Sequence, residues 1–104
     1  LFYESGALEY EGTWVDDKAN GEGKEYYESG VLKYEGTWID GAWNGQGREF
    51  YPSGILRYKG GFANGNWEGQ GTNYRETGTV IYSGWFANGQ PVKGARPFGW
   101  PRKY

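Results

Sequence analysis

Leu32, Tyr34, Gly36 and Trp38 alternate with Lys33, Glu35 and Thr37, so every second position along residues 32–38 is apolar or lacks a side chain. A period of two sends the two sets to opposite faces of an extended chain, which predicts a strand. A return strand is expected over about residues 46–51, where Phe50 and Tyr51 point to opposite faces. Pairing register decides which of the two joins the face of Tyr34 and Trp38, and periodicity leaves this open. Between strands the chain reads "YPSG" at residues 51–54. Pro52 suits the second position of a type I turn, and Gly54 suits the left-handed position that forms a bulge. "YESG" at 27–30 and "RETG" at 75–78 meet the same demand without proline. The stretch "DGAWNG", residues 40–45, reads as a wider connector with glycine at both bends, matched by "DDKANG" and "NGNWEG". Strand, wide loop, strand and tight turn together predict a β-meander. The 20 glycines argue against helix, at a cost of roughly 1 kcal/mol for each interior position.

The pattern repeats. A shift of 24 residues aligns Tyr10, Tyr34, Tyr58 and Tyr82, then Gly12, Gly36, Gly60 and Gly84, then Trp14, Trp38, Phe62 and Phe86. The same shift aligns Leu8, Leu32, Leu56 and Val80, and it superposes Gly23, Gly47 and Gly71. Such a period marks a repeat architecture in which neighbouring hairpins stabilise one another, since a lone hairpin is marginal. A single sheet has no second layer against which to pack aliphatic side chains. Large rings lying over glycines of adjacent strands would form a thin core instead, each aromatic pair adding about 0.5–1.5 kcal/mol beyond buried area.

Composition agrees with this reading: 20% of residues are aromatic, with 20 glycines and few aliphatics among 104 residues. Charge is nearly balanced at −2, which gives no sign of a nucleic-acid partner. Its distribution is uneven: residues 7–30 are acidic, whereas residues 79–104 carry Lys93, Arg96, Arg102 and Lys103 and no carboxylate. No cysteine is present, so disulfides and thiolate chemistry are excluded, and no apolar run reaches the ~20 residues that span a bilayer. The chain starts without methionine in mid-pattern at "LFYESG", as expected of an excised piece.

Tyr34-Glu35-Gly36-Thr37-Trp38, followed by Asp40-Gly41, Asn44-Gly45 and Gly47, resembles the membrane occupation and recognition nexus (MORN) repeat. Tyr10-Glu11-Gly12-Thr13-Trp14 with Gly21 and Gly23 is similar. Weaker versions are Tyr58 to Phe62 with Gly65, Gly69 and Gly71, and Tyr82 to Phe86 with Gly89 and Gly94. The resemblance implies an all-β fold, an elongated single-layer antiparallel meander of tandem β-hairpin repeats. It further implies a groove lined by aromatics that binds other proteins and builds scaffolds; phospholipid binding is unevenly attributed to the family. Two departures carry expectations. Asp17 stands where Gly41, Gly65 and Gly89 recur, so the first wide loop is expected to take another backbone shape. The last unit, with "GQPVKG", is followed by no clear return strand. The expected organisation is a repeat sheet over residues 1–94 and a basic Pro- and Arg-containing tail over residues 95–104, an edge cap or linker.

Candidate chemistry is narrow. Without histidine or cysteine, triads and the usual zinc clusters are excluded. Glu9 and Glu11 share a strand face, but the matching pairs Lys33 with Glu35 and Arg57 with Lys59 do not keep the acidic chemistry a glycosidase pair needs. "NGEGK" and "NGQGR" lack the spacing and the helix of a phosphate loop, and Asp16, Asp17 and Asn20 miss calcium-loop spacing. No catalytic residue, cofactor or metal is expected. The candidate partner-binding residues are Tyr10, Trp14, Tyr34, Trp38, Trp43, Tyr58, Phe62, Trp67, Tyr82 and Phe86. Trp43 and Trp67 fall in the expected wide connectors and would be lids over the neighbouring repeat or exposed contacts. The leading expectation is a noncatalytic protein-binding scaffold for a protein or peptide partner, with uncapped sheet edges that invite self-association without establishing it. A carbohydrate or cell-wall module is the second, with Trp43 and Trp67 stacking on sugars or quaternary ammonium groups. Weak peripheral phospholipid binding through the basic end is the third. A cytoplasmic, cytoskeletal or membrane-associated location is favoured.

Overall fold

The structure, a computed structural model, describes residues 1–92. The expected tail lies outside the described residues. Eight strands run β1 (Tyr10–Val15), β2 (Lys18–Tyr26), β3 (Leu32–Ile39), β4 (Ala42–Phe50), β5 (Leu56–Ala63), β6 (Asn66–Tyr74), β7 (Val80–Ala87) and β8 (Gln90–Val92). They form one open antiparallel sheet in chain order, and no helix occurs among the described residues. The slab measures 46 × 35 × 18 Å. The all-β meander expected from the repeat is therefore the fold.

The tight turns form as their residues demand. The Gly54 N–H donates to the Tyr51 carbonyl at 2.8 Å, and Gly54 takes φ +96°. Gly30 and Gly78 make the same bond to Tyr27 and Arg75 at 2.8 Å. The connectors read as wide loops are, in contrast, two-residue turns. Ile39 pairs with Ala42 around Asp40-Gly41, and Ala63 pairs with Asn66 around Asn64-Gly65. Asp40 and Gly41 have φ +49° and +84°, the pair of left-handed residues that a type I′ hairpin needs. The return strand consequently starts at Ala42 rather than near Gln46, and Trp43 and Trp67 belong to strands β4 and β6. Asp17 does not change the first of these turns: Asp16 and Asp17 hold φ +52° and +64°, the same left-handed pair without glycine.

Each turn is tied to the preceding repeat. The Gly41 N–H donates to the Ala19 carbonyl at 2.9 Å and the Asp40 N–H to Asn20 Oδ1 at 3.0 Å, and Gly65 and Asn64 repeat this with Trp43 and Asn44. At the opposite end of the hairpins, the hydroxyls of Tyr3, Tyr27 and Tyr51 each donate at 2.6 Å to the carbonyls of Tyr26, Phe50 and Tyr74, one repeat onward. These bonds couple the hairpins independently of the strand ladders, as a repeat stabilised through its neighbours requires.

The core is one ring thick. Gly36 pairs with Gly23 and Gly47, and Gly60 pairs with Gly47 and Gly71, so glycines form a row across the sheet. Tyr34 lies over this row: a Cβ added at Gly47 would sit 2.7 Å from its Cε1 and Cζ. Tyr10 relates to Gly23 in the same way, as does Tyr58 to Gly71. Lying flat lets each hydroxyl reach a carbonyl at the bulge in its own strand, Tyr34 to Thr37 at 2.8 Å and Tyr58 to Gly61 at 2.9 Å. Neighbouring rings close the row edge-on. Tyr10 meets Trp38 at 5.0 Å, Tyr34 meets Phe62 at 5.1 Å and Tyr58 meets Phe86 at 5.2 Å, each contact crossing from one repeat to the next.

Candidate functional site

The ten candidate residues divide by exposure. Tyr34, Tyr58 and Phe86 are wholly buried, and Tyr10, Trp38 and Phe62 nearly so. These six form the internal row and offer a ligand little surface. Tyr82, Trp43 and Trp67 are half-buried against that row, and Trp14 is 43% exposed. Trp38 carries a cost within the row: its buried Nε1–H has no hydrogen-bond partner, and the equivalent rings Phe62 and Phe86 have no such donor.

The indoles of β4 and β6 are lids. Trp43 stacks on Tyr34 with centroids 4.5 Å apart and planes 3° apart, and Trp67 stacks on Tyr58 at 4.6 Å and 4°. Each directs its N–H to a carboxylate of the preceding repeat, Trp43 to Glu25 at 3.0 Å and Trp67 to Glu49 at 2.8 Å. A cation completes each group. Lys33 Nζ lies 3.6 Å from Glu25, over the rings of Tyr27 and Trp43 at 5.6 and 5.9 Å. Arg57 lies 3.3 Å from Glu49 and 5.5 Å from both Tyr51 and Trp67. Tyr51 thus joins the aromatic face, whereas Phe50 packs beside Arg48 on the other. Glu49 is only 8% exposed, and the indole donor together with the guanidinium balances its desolvation. Glu25, Glu49, Lys33 and Arg57 were not singled out from the sequence. Carboxylate, cation and tryptophan each recur at the 24-residue spacing, a signal that does not say they touch.

The aromatic row perturbs its own phenols. Burial pushes the Tyr58 hydroxyl up to about 12. Burial raises Tyr34 further, with Glu22 adding to the rise. Both stay protonated donors at neutral pH.

Grooves are open on both faces of the sheet. One, of about 520 Å³, lies at the N-terminal end of the aromatic face, between Tyr10, Trp14, Trp38 and Trp43, with Glu9, Asp17 and Glu25 around it. Another, of about 730 Å³, follows the glycine row on the opposite face between Glu22, Glu35, Arg48 and Lys59. There Arg48 pairs with Glu35, Lys24 approaches Glu35 at 3.8 Å, and the Thr37 hydroxyl donates to Glu22 at 2.9 Å. These exposed ion pairs contribute little, ~0–1 kcal/mol each. Among the described residues no three carboxylates are grouped to hold a metal, and no helix is long and apolar enough to cross a membrane.

Hairpins in one open layer, coupled edge to edge by rings over glycines, define a tandem-hairpin repeat protein. Residues 10–31, 34–55 and 58–80 each match the model of the MORN repeat, and the chain belongs to the MORN repeat family. That repeat is a non-enzymatic unit generally associated with protein and membrane binding. A search of curated proteins returns no match.

Proposed function

We propose that the chain is a noncatalytic protein-binding scaffold module whose aromatic face receives a segment of a partner. The observation carrying this reading is the division of labour on that face. The wholly buried rings hold the sheet rigid, while Trp14 and Trp43 stay partly uncovered beside a groove of about 520 Å³ and Trp67 is half-buried further along the same face. Partly covered indoles on a preformed surface combine large apolar area with small ordering cost, the property that makes tryptophan an anchor in interfaces. The open sheet offers length, with each hairpin extending the same surface.

The test uses the whole chain immobilised beside a Trp14→Ser variant verified by thermal melting to remain folded. Partners retained by the parent and lost by the variant support the reading. Equal retention on both would place binding elsewhere and overturn the aromatic-face assignment.

A further inference from the structure

Repeats two and three each place beside their stacked tyrosine an indole and a cation held by a carboxylate: Trp43, Lys33 and Glu25, then Trp67, Arg57 and Glu49. The first repeat breaks this set at every place. Ala19 takes the indole position opposite Trp14, as Trp43 lies opposite Trp38. Glu9 takes the cation position and Leu1 the carboxylate position. The result is the N-terminal groove of about 520 Å³, which Leu1, Glu9 and Ala19 all line. Its walls are aromatic. Its charged side chains are Glu9, Asp17, Lys18 and Glu25, the last already paired with Lys33, and the α-amino group of Leu1 adds a second cation; neither Glu9 nor Asp17 has an ion-pair partner among the described residues.

We propose that this groove binds an arginine side chain of a partner peptide, the guanidinium meeting Glu9 and stacking on the exposed indoles, with apolar neighbours of that arginine on Trp14. The inference rests on the protein-binding reading and names the chemistry of its ligand. The molecule supplies the precedent: Arg57 lies against two rings and a carboxylate in the third repeat, at the place where the first repeat presents a carboxylate and open space. A planar, weakly hydrated guanidinium fits stacked aromatic walls better than an ammonium does. The acidic surroundings favour its approach and disfavour an anionic ligand.

The experiment titrates the isotope-labelled full chain with acetyl-Leu-Arg-Leu-amide and with the same peptide carrying neutral citrulline in place of arginine. Indole N–H resonances report the position of binding. The expected result is movement of Trp14 and Trp43 with Trp67 unmoved, and affinity at least tenfold weaker for citrulline. Glu9→Lys and Ala19→Trp copy the residues of the second repeat, and each should weaken arginine-peptide binding at least tenfold while the melting temperature holds or rises. Glu9→Gln is the milder variant should either fail to fold, with the same loss expected. Equal affinity for the two peptides, no movement of Trp14 and Trp43 at millimolar peptide, or unchanged affinity in the folded variants would each overturn the proposal. Should a partner that depends on Trp14 bind Glu9→Lys as tightly as the parent, the arginine assignment falls and the protein-binding reading survives.

Discussion

Replacing Gly47 by alanine isolates the contact on which the core depends. In an ordinary strand interior this change stabilises, by roughly 0.5–1 kcal/mol, because glycine loses more chain entropy on folding. Gly47 does not occupy a left-handed conformation, so its backbone accepts alanine without strain. The new methyl carbon would nevertheless lie 2.7 Å from two carbons of Tyr34. That ring cannot step aside: it is wholly buried, with Trp43 stacked on it at 4.5 Å and Trp38 and Phe62 against its edges at 5.4 and 5.1 Å. Overpacking of this kind costs about 1–3 kcal/mol, which exceeds the entropic gain, so the sign reverses. The expected net loss is about 1–2 kcal/mol, or a fall in melting temperature on the order of 10 °C for a chain of this size. Urea unfolding followed by tryptophan fluorescence measures it. Tyr34→Phe removes the hydroxyl, the ring atom nearest the added methyl, so the double variant should recover part of the loss. A neutral or stabilised Gly47→Ala protein would refute the argument.

Other outcomes follow from the same geometry. Asp17→Gly should raise stability by about 1 kcal/mol, because Asp17 holds φ +64° where the other hairpins use glycine; a lower melting temperature would contradict this. Trp67→Phe keeps the stack on Tyr58 but removes the donor to the buried Glu49 carboxylate, and should cost about 1–3 kcal/mol in a denaturant titration. For alkaline pH the sign is set by the phenols. Both folded and unfolded chains keep their tyrosine protons below about pH 10, and above it the unfolded chain releases them first because Tyr58 in the fold is held up at about 12. Stability should therefore be complete below pH 10 and fall between pH 10 and 12, by up to about 1.4 kcal/mol per pH unit for each such phenol. Melting temperatures across pH 9–12 check it, and a flat profile would count against the buried phenols.

The sheet was legible in the sequence because its two strongest signals are local. Alternation over residues 32–38 marks β3, and "YPSG" has the residues a bulged type I turn needs, so both survive into the structure. The return strand was harder. Between the Gly36–Gly47 and Trp38–Trp43 pairs, only Thr37 lies on β3, whereas Asn44, Gly45 and Gln46 lie on β4. That bulge and its glycine obscure the apolar alternation before Gln46, and the first part of the strand looked like loop. Misplacing the strand start made Trp43 a loop residue, when it is the stacked cover of Tyr34. The acid–indole–cation groups were hidden for a different reason: each draws members from two repeats, with Glu25 and Trp43 lying 18 residues apart. Only the register of the folded sheet brings them together.

Proton NMR on the intact chain tests the thin core most directly, through the Hα resonances of Gly23, Gly47 and Gly71. With a tyrosine ring lying over each, these protons should be shifted upfield and show cross-relaxation to Tyr10, Tyr34 and Tyr58 respectively. Unshifted glycine protons without those contacts would mean that the rings pack elsewhere, and that something other than aromatic cover on glycine holds the sheet.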